Sequence, residues 1–176
     1  RAFATLYEPY GADVVQRVTA WHREHGGVSR YEKFRYFHET FLNQKLLAAE
    51  EVRLAACFSA LVEEAVIAAA WVPGAYEFLE AHASRLTFFV ASGTPEEELR
   101  RIIERRVMTR YFAGMAGAPR RKGEILRYFL RHQNVPPHRM LMVGDAMTDY
   151  AGATEVNIPF LGITPEGASP FPPGVP

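Results

Sequence analysis

Met140-Leu141-Met142-Val143-Gly144-Asp145-Ala146-Met147-Thr148-Asp149 decides the reading of this chain. An apolar run of strand character stops at Gly144-Asp145, and the small residues Tyr150-Ala151-Gly152-Ala153 that follow read as a helix. A carboxylate at the C-terminal end of a parallel strand lies where open α/β sheets bind ligands. Asp149, one helical turn on, can face the same crevice. Two oxygen donors so placed suit a hard cation such as Mg²⁺, which keeps several waters and takes few protein ligands. The plainer alternative makes Asp145 an N-cap and Asp149 an exposed helix residue. The strand, the glycine and the second acid together favour the metal site.

Outward from that stretch, the second part of the chain alternates helices with short apolar strands. Leu86 to Ala91 reads as a buried strand, followed by the turn Ser92-Gly93-Thr94-Pro95. Pro95 at a first helical position with Glu96, Glu97 and Glu98 behind it is a helix start, and Thr94 is placed to cap it. The helix is expected to run to Val107. Phe112 to Met115 reads as a short strand, Lys122 to His132 as a helix, Arg139 to Val143 and Ile158 to Ile163 as strands, and Pro165 to Pro176 as an irregular tail. Alternation of this kind predicts a parallel sheet with right-handed crossovers, an α/β fold over residues 71–176.

Residues 1–70 read as helices only. Helical spacing runs through Phe3, Leu6 and Tyr7, and again from Val14 to Trp21. Ser29 followed by Glu32 is a capping box, and the helix it opens carries Phe34, Phe37, Phe41 and Leu42 as core. A long Ala-rich helix from Leu46 to Ala70 completes a bundle of about four. Trp71-Val72-Pro73-Gly74 is the hinge between the two parts.

Composition bounds the function. The 176 residues carry 20 Lys+Arg against 20 Asp+Glu, so net charge offers no case for a nucleic-acid or membrane partner. The runs Arg100-Arg101, Arg105-Arg106 and Arg120-Arg121-Lys122 read as solvated helix faces. An apolar content of 48% is enough for a sizeable core. One cysteine, Cys57, excludes an internal disulfide framework and fits a reducing cytoplasm; its apolar neighbours predict a buried thiol. His22, His25 and His38 read as ordinary exposed histidines. There is no internal repeat, and the sequence leaves the assembly state open.

Three further features carry chemistry. Ser92-Gly93 sets a hydroxyl and free backbone N–H groups before a helix N-terminus, an anion site. Lys122 at a helix start is a point-charge binder of phosphate. Asp145 and Asp149 complete a phosphate-plus-Mg²⁺ set in that order along one sheet.

That order resembles the haloacid dehalogenase superfamily of phosphohydrolases. Its second motif matches Phe88-Phe89-Val90-Ala91-Ser92, its third Lys122, and its fourth Gly144-Asp145-Ala146-Met147-Thr148-Asp149. The resemblance implies a Rossmann-like core over residues 71–176 under a helical cap over residues 1–70, as in phosphoglycolate phosphatase and β-phosphoglucomutase-like members. It implies Ser92, Lys122 and Asp145 as catalytic residues, Ser92, Gly93 and Lys122 on the phosphoryl group, and Asp145 and Asp149 on Mg²⁺. Gly27-Val28-Ser29-Arg30 resembles a substrate-specificity loop, so Arg30 and Lys33 are expected to reach down to a second anionic group of a small phosphorylated metabolite. The family's first motif, Asp-x-Asp, supplies its nucleophile and its general acid/base from the central strand, and no Asp-x-Asp occurs here. The 176 residues are therefore expected to be a fragment lacking that strand, inactive as they stand, with a gap in the sheet. Alternatives are a sugar-phosphate mutase of the same fold and a non-catalytic α/β binding module.

Overall fold

The computed structural model describes residues 1–164 and 169–176. Part of the Pro-rich tail, residues 165–168, thus lies outside the described residues.

Four α-helices come first: α1 (Ala2–Tyr7), α2 (Ala12–Glu24), α3 (Arg30–Tyr36) and α4 (Ala48–Ile67). The Ser29 hydroxyl accepts the Glu32 N–H at 3.3 Å and opens α3, as its spacing predicts. The helix then loosens into a single wide turn over Phe37–Phe41. Phe3, Tyr7, Val18, Phe34, Phe37 and Leu54 close over one another as a single buried cluster. The rings meet edge to face, Phe3 with Phe37 at 5.7 Å and Tyr7 with Phe37 at 5.4 Å, the arrangement aromatic quadrupoles favour. His38, expected exposed, is buried here, its Nδ1 3.0 Å from the Tyr7 hydroxyl and 3.0 Å from the Phe34 carbonyl. His22 and His25 also turn inward, His22 toward Lys33 and His25 stacked on Trp21 at 3.7 Å. Cys57 is half-buried rather than enclosed.

The second part contains α5 (Ala75–His82), β1 (Phe88–Pro95), α6 (Glu96–Arg105), β2 (Phe112–Ala118), α7 (Lys122–Gln133), β3 (Met142–Gly144), α8 (Met147–Glu155) and β4 (Phe160–Gly162). The molecule is an α/β protein, mostly helical, with parallel strands. β1 pairs with β2 from Phe88↔Phe112 to Pro95↔Ala118, and β3 with β4 from Met142↔Phe160 to Gly144↔Gly162. Among the described residues no ladder joins β1 to β3. Sequence spacing ends the strand at Ala91, whereas β1 runs to Pro95, its ladder to β2 breaking after Ala91↔Ala116 and resuming at Pro95↔Ala118. Pro95 therefore caps α6 instead of starting it, and Thr94 makes no cap bond. β3 is shorter than expected, because Pro137–Arg139 is wound into a 3₁₀ turn ahead of it.

The two parts meet along α6. Arg101 pairs with Glu63 at 2.9 Å, Arg105 with Glu64, and the Arg106 guanidinium donates to the Val66, Ile67 and Ala69 carbonyls at the C-terminal end of α4. A cation is favourable there because the last carbonyls of a helix lack partners. Arg101, Arg105 and Arg106 thus reach α4, while Arg100 lies half-exposed beside Glu96 of its own helix. No described helix is long and apolar enough to cross a membrane.

Candidate functional site

The site is built where β1, the start of α7 and the start of α8 converge. Ser92 and Gly93 lie at the outgoing end of β1, and the Ser92 oxygen accepts the Thr94 N–H at 3.1 Å. That bond turns the chain and leaves the hydroxyl proton free. A Cβ added at Gly93 would stand 3.1 Å from the Gly27 carbonyl, so only glycine lets the loop after α2 settle against this turn.

Lys122 opens α7. Its ammonium donates to the Ala91 carbonyl at 2.7 Å and lies 2.6 Å from Asp149 Oδ1. The Ala91 carbonyl takes one of its three N–H groups, and the Asp149 contact is an ion pair that leaves Oδ1 without a hydrogen bond, so the ammonium keeps N–H groups for an incoming oxygen. Gly152 makes this possible: a Cβ there would come within 2.6 Å of the Lys122 Cβ and 3.1 Å of the Gly123 nitrogen, so α8 packs on the first turn of α7 only through glycine.

Asp149 is buried, its Oδ2 accepting the Ala146 N–H at 3.3 Å. Its Oδ1 lies 2.6 Å from the Lys122 ammonium, an ion pair within the fold. Asp145 is exposed and has no ion pair or hydrogen bond among the described residues. Those residues contain no group of three His, Cys, Asp or Glu side chains able to cage a metal. The donor set still fits Mg²⁺, because that ion binds through one or two carboxylates together with substrate phosphate and its own waters. Asp145 is the carboxylate free to do so.

A cavity of about 190 Å³ opens over Ser92, Gly93 and Lys122, while Asp145 and Asp149 are not among its lining residues. Ser92, Gly93, Lys122 and Thr148 line it, with Arg120 and Arg121 on one flank and residues 27–29 and Glu32 on the helical side. Thr148 Oγ1 is buried without a hydrogen-bond partner. Gly27, at φ +76°, is pressed on it so closely that a Cβ would lie 2.1 Å from that oxygen.

Arg30 and Lys33 are not in this cavity, contrary to the sequence expectation. Arg30 makes a two-pronged pair with Glu98 on α6, both contacts at 2.8 Å, with side chains only 6% and 4% exposed. Lys33 points into the helical bundle, its ammonium 2.8 Å from His22 Nδ1. Burial lowers the Lys33 pKa from 10.5 to about 8. Burial, then the Lys33 charge, lowers that of His22. In place of Arg30 and Lys33 the cavity has Arg121 and Thr148, which spacing alone did not single out. Their only signal was position, one residue before Lys122 and one before Asp149.

The sequence model of the haloacid dehalogenase-like hydrolases matches residues 1–157. Solved structures share the fold at low identity. A haloacid dehalogenase-like hydrolase from Streptococcus pneumoniae is 16% identical with a TM-score of 0.67, over 93% of this chain and 75% of that one. A predicted phosphoglycolate phosphatase from Haemophilus somnus is 18% identical with a TM-score of 0.67, over 92% and 75%. A protein from Thermotoga maritima assigned as a β-phosphoglucomutase is 21% identical with a TM-score of 0.62, over 95% and 78%. No curated protein matches the chain.

Proposed function

The chain belongs to the haloacid dehalogenase-like hydrolases, and from that premise we propose that it is the phosphate- and Mg²⁺-binding part of a phosphohydrolase acting on a small phosphorylated metabolite. The observation that carries this reading is the convergence of Ser92, Gly93 and Lys122 on one cavity, with the Lys122 ammonium fixed at 2.7 Å to the end of β1 and 2.6 Å from Asp149.

In this reading residues 1–70 are the cap and residues 71–176 the core. The Ser92 O–H, the Gly93 N–H and the free N–H of Lys122 hold phosphoryl oxygens, where charge gathers in the transition state. Asp149 orients Lys122. Asp145 holds Mg²⁺, which would neutralise phosphoryl charge when bound. Loop 27–29, seated on Gly93 and Thr148, excludes water from above. Among the described residues none is placed to attack phosphorus: Ser92 has no adjacent base, and the sequence has no Asp-x-Asp. The mutase alternative loses its residue support, since Arg30 is committed to Glu98.

The test is titration calorimetry of inorganic phosphate into the 176-residue chain, with and without Mg²⁺, beside a phosphate-release assay. Phosphate should bind, more tightly with Mg²⁺. Lys122→Ala should abolish binding, and Asp145→Asn only the Mg²⁺ enhancement. Turnover should be undetectable, since removing nucleophile and base from comparable hydrolases costs on the order of a millionfold. Joining an N-terminal strand that ends in Asp-x-Asp should restore it. Robust turnover by residues 1–176 alone, or no phosphate binding, would sink the reading.

A further inference from the structure

Two donors lining the cavity, Arg121 and Thr148, are unused by phosphoryl binding and have no side-chain partner among the described residues. The Arg121 side chain is exposed at the flank beside Lys122 and has no ion pair among the described residues. Its neighbour differs: Arg120 is tied to Glu96 and lies over the Tyr128 ring at 5.4 Å. Thr148 Oγ1 is buried in the wall with no hydrogen-bond partner. A buried hydroxyl left unpaired is costly, by an amount that a ligand oxygen recovers. On the opposite, helical wall stands Glu32, a like charge to any anion.

We propose that Arg121 is the specificity-determining residue of this site, selecting phosphate esters that carry a second anionic group, a carboxylate or a second phosphate, with Thr148 as its neutral co-donor. The proposal rests on the phosphoryl-binding reading above. A guanidinium offers a planar fork that matches carboxylate and phosphate oxygens two at a time. Arg121 and Lys122 line the same cavity, so a second group on a ligand whose phosphoryl is held at Lys122 can meet the guanidinium. Glu32 repels an anion from the helical wall, and the other acid lining the cavity, Glu155 beside Gly123, is paired with Arg127 at 2.8 Å. Substrates with a neutral tail satisfy neither Arg121 nor the selection against Glu32.

The test compares two probes that differ in the second charge, phosphoglycolate and 2-hydroxyethyl phosphate, titrated into the Mg²⁺-loaded 176-residue chain. The parent should bind phosphoglycolate the more tightly. Arg121→Gln should weaken it about ten- to a hundredfold, the range for a hydrogen bond to a charged group. The same change should leave 2-hydroxyethyl phosphate within about twofold. Arg121→Lys should fall between, keeping the charge and losing the fork. Arg131→Gln, an exposed arginine on the same helix and away from the cavity, should alter neither. Equal losses for both probes, or none, in Arg121→Gln would overturn the assignment while leaving the phosphoryl site standing. A parent that binds neither probe would overturn the phosphoryl site and this inference with it.

Discussion

Replacing Arg30 with Met should destabilise the protein without touching the phosphate site. Arg30 donates to Glu98 through both terminal nitrogens at 2.8 Å and to the Ser59 hydroxyl at 2.8 Å, while Ser59 donates to Glu98 at 2.5 Å. The guanidinium also lies 4.5 Å above the Phe58 ring. With the side chains 6% and 4% exposed, Met leaves the Glu98 carboxylate buried with one hydroxyl as its remaining donor. An uncompensated buried charge of this kind costs about 3–5 kcal/mol. At about 2–4 °C per kcal/mol for a chain of this size, Tm should fall by roughly 6–20 °C. Arg30→Met combined with Glu98→Leu removes both charges, and should recover most of the loss, because apolar replacement of a buried pair is often neutral. Urea unfolding of the two single variants and the double variant measures the coupling. If Arg30→Met costs less than about 1 kcal/mol, as a solvated pair would, the burial argument is wrong. Phosphate affinity of the folded Arg30→Met variant should equal the parent's; a loss of affinity without loss of stability would return Arg30 to the substrate.

Three further outcomes are expected. Lys33 has a folded pKa lowered to about 8 from 10.5, so between those values the unfolded chain binds the extra proton and stability rises with pH; the gain, at most about 3 kcal/mol, should appear in denaturant melts of the parent from pH 8 to 10 and be absent in Lys33→Met. Gly27→Ala meets Thr148 Oγ1 at 2.1 Å from a φ of +76°, and should lift loop 27–29 off the cavity, read as faster amide exchange at Gly93 with little change in Tm; unchanged exchange would refute the contact. In the version of the protein completed with an Asp-x-Asp strand, Lys122→Ala should lower kcat about a hundred- to a thousandfold, and Asp145→Ala should abolish Mg²⁺-dependent turnover; full activity in either variant would remove it from the site.

The sequence by itself determined the features that depend on near neighbours along the chain. The Ser29–Glu32 capping box, the Ala-rich α4, the Gly144-Asp145 strand end and the lysine opening α7 each rest on backbone hydrogen bonds and periodic burial spanning a few residues. The motif order Ser92, Lys122, Asp145, Asp149 was legible for the same reason. What only the tertiary structure decided is which side chain meets which. Arg30 and Glu98 are 68 positions apart, and nothing local to residues 27–33 announces the acid that claims the arginine. Lys122 finds Asp149 because Gly152 lets α8 lie on α7; β1 regains its ladder at Pro95↔Ala118 only where β2 runs on to Ala118. A long charged side chain settles on the opposite charge that leaves the smallest desolvation cost, and that partner is set by how distant segments pack.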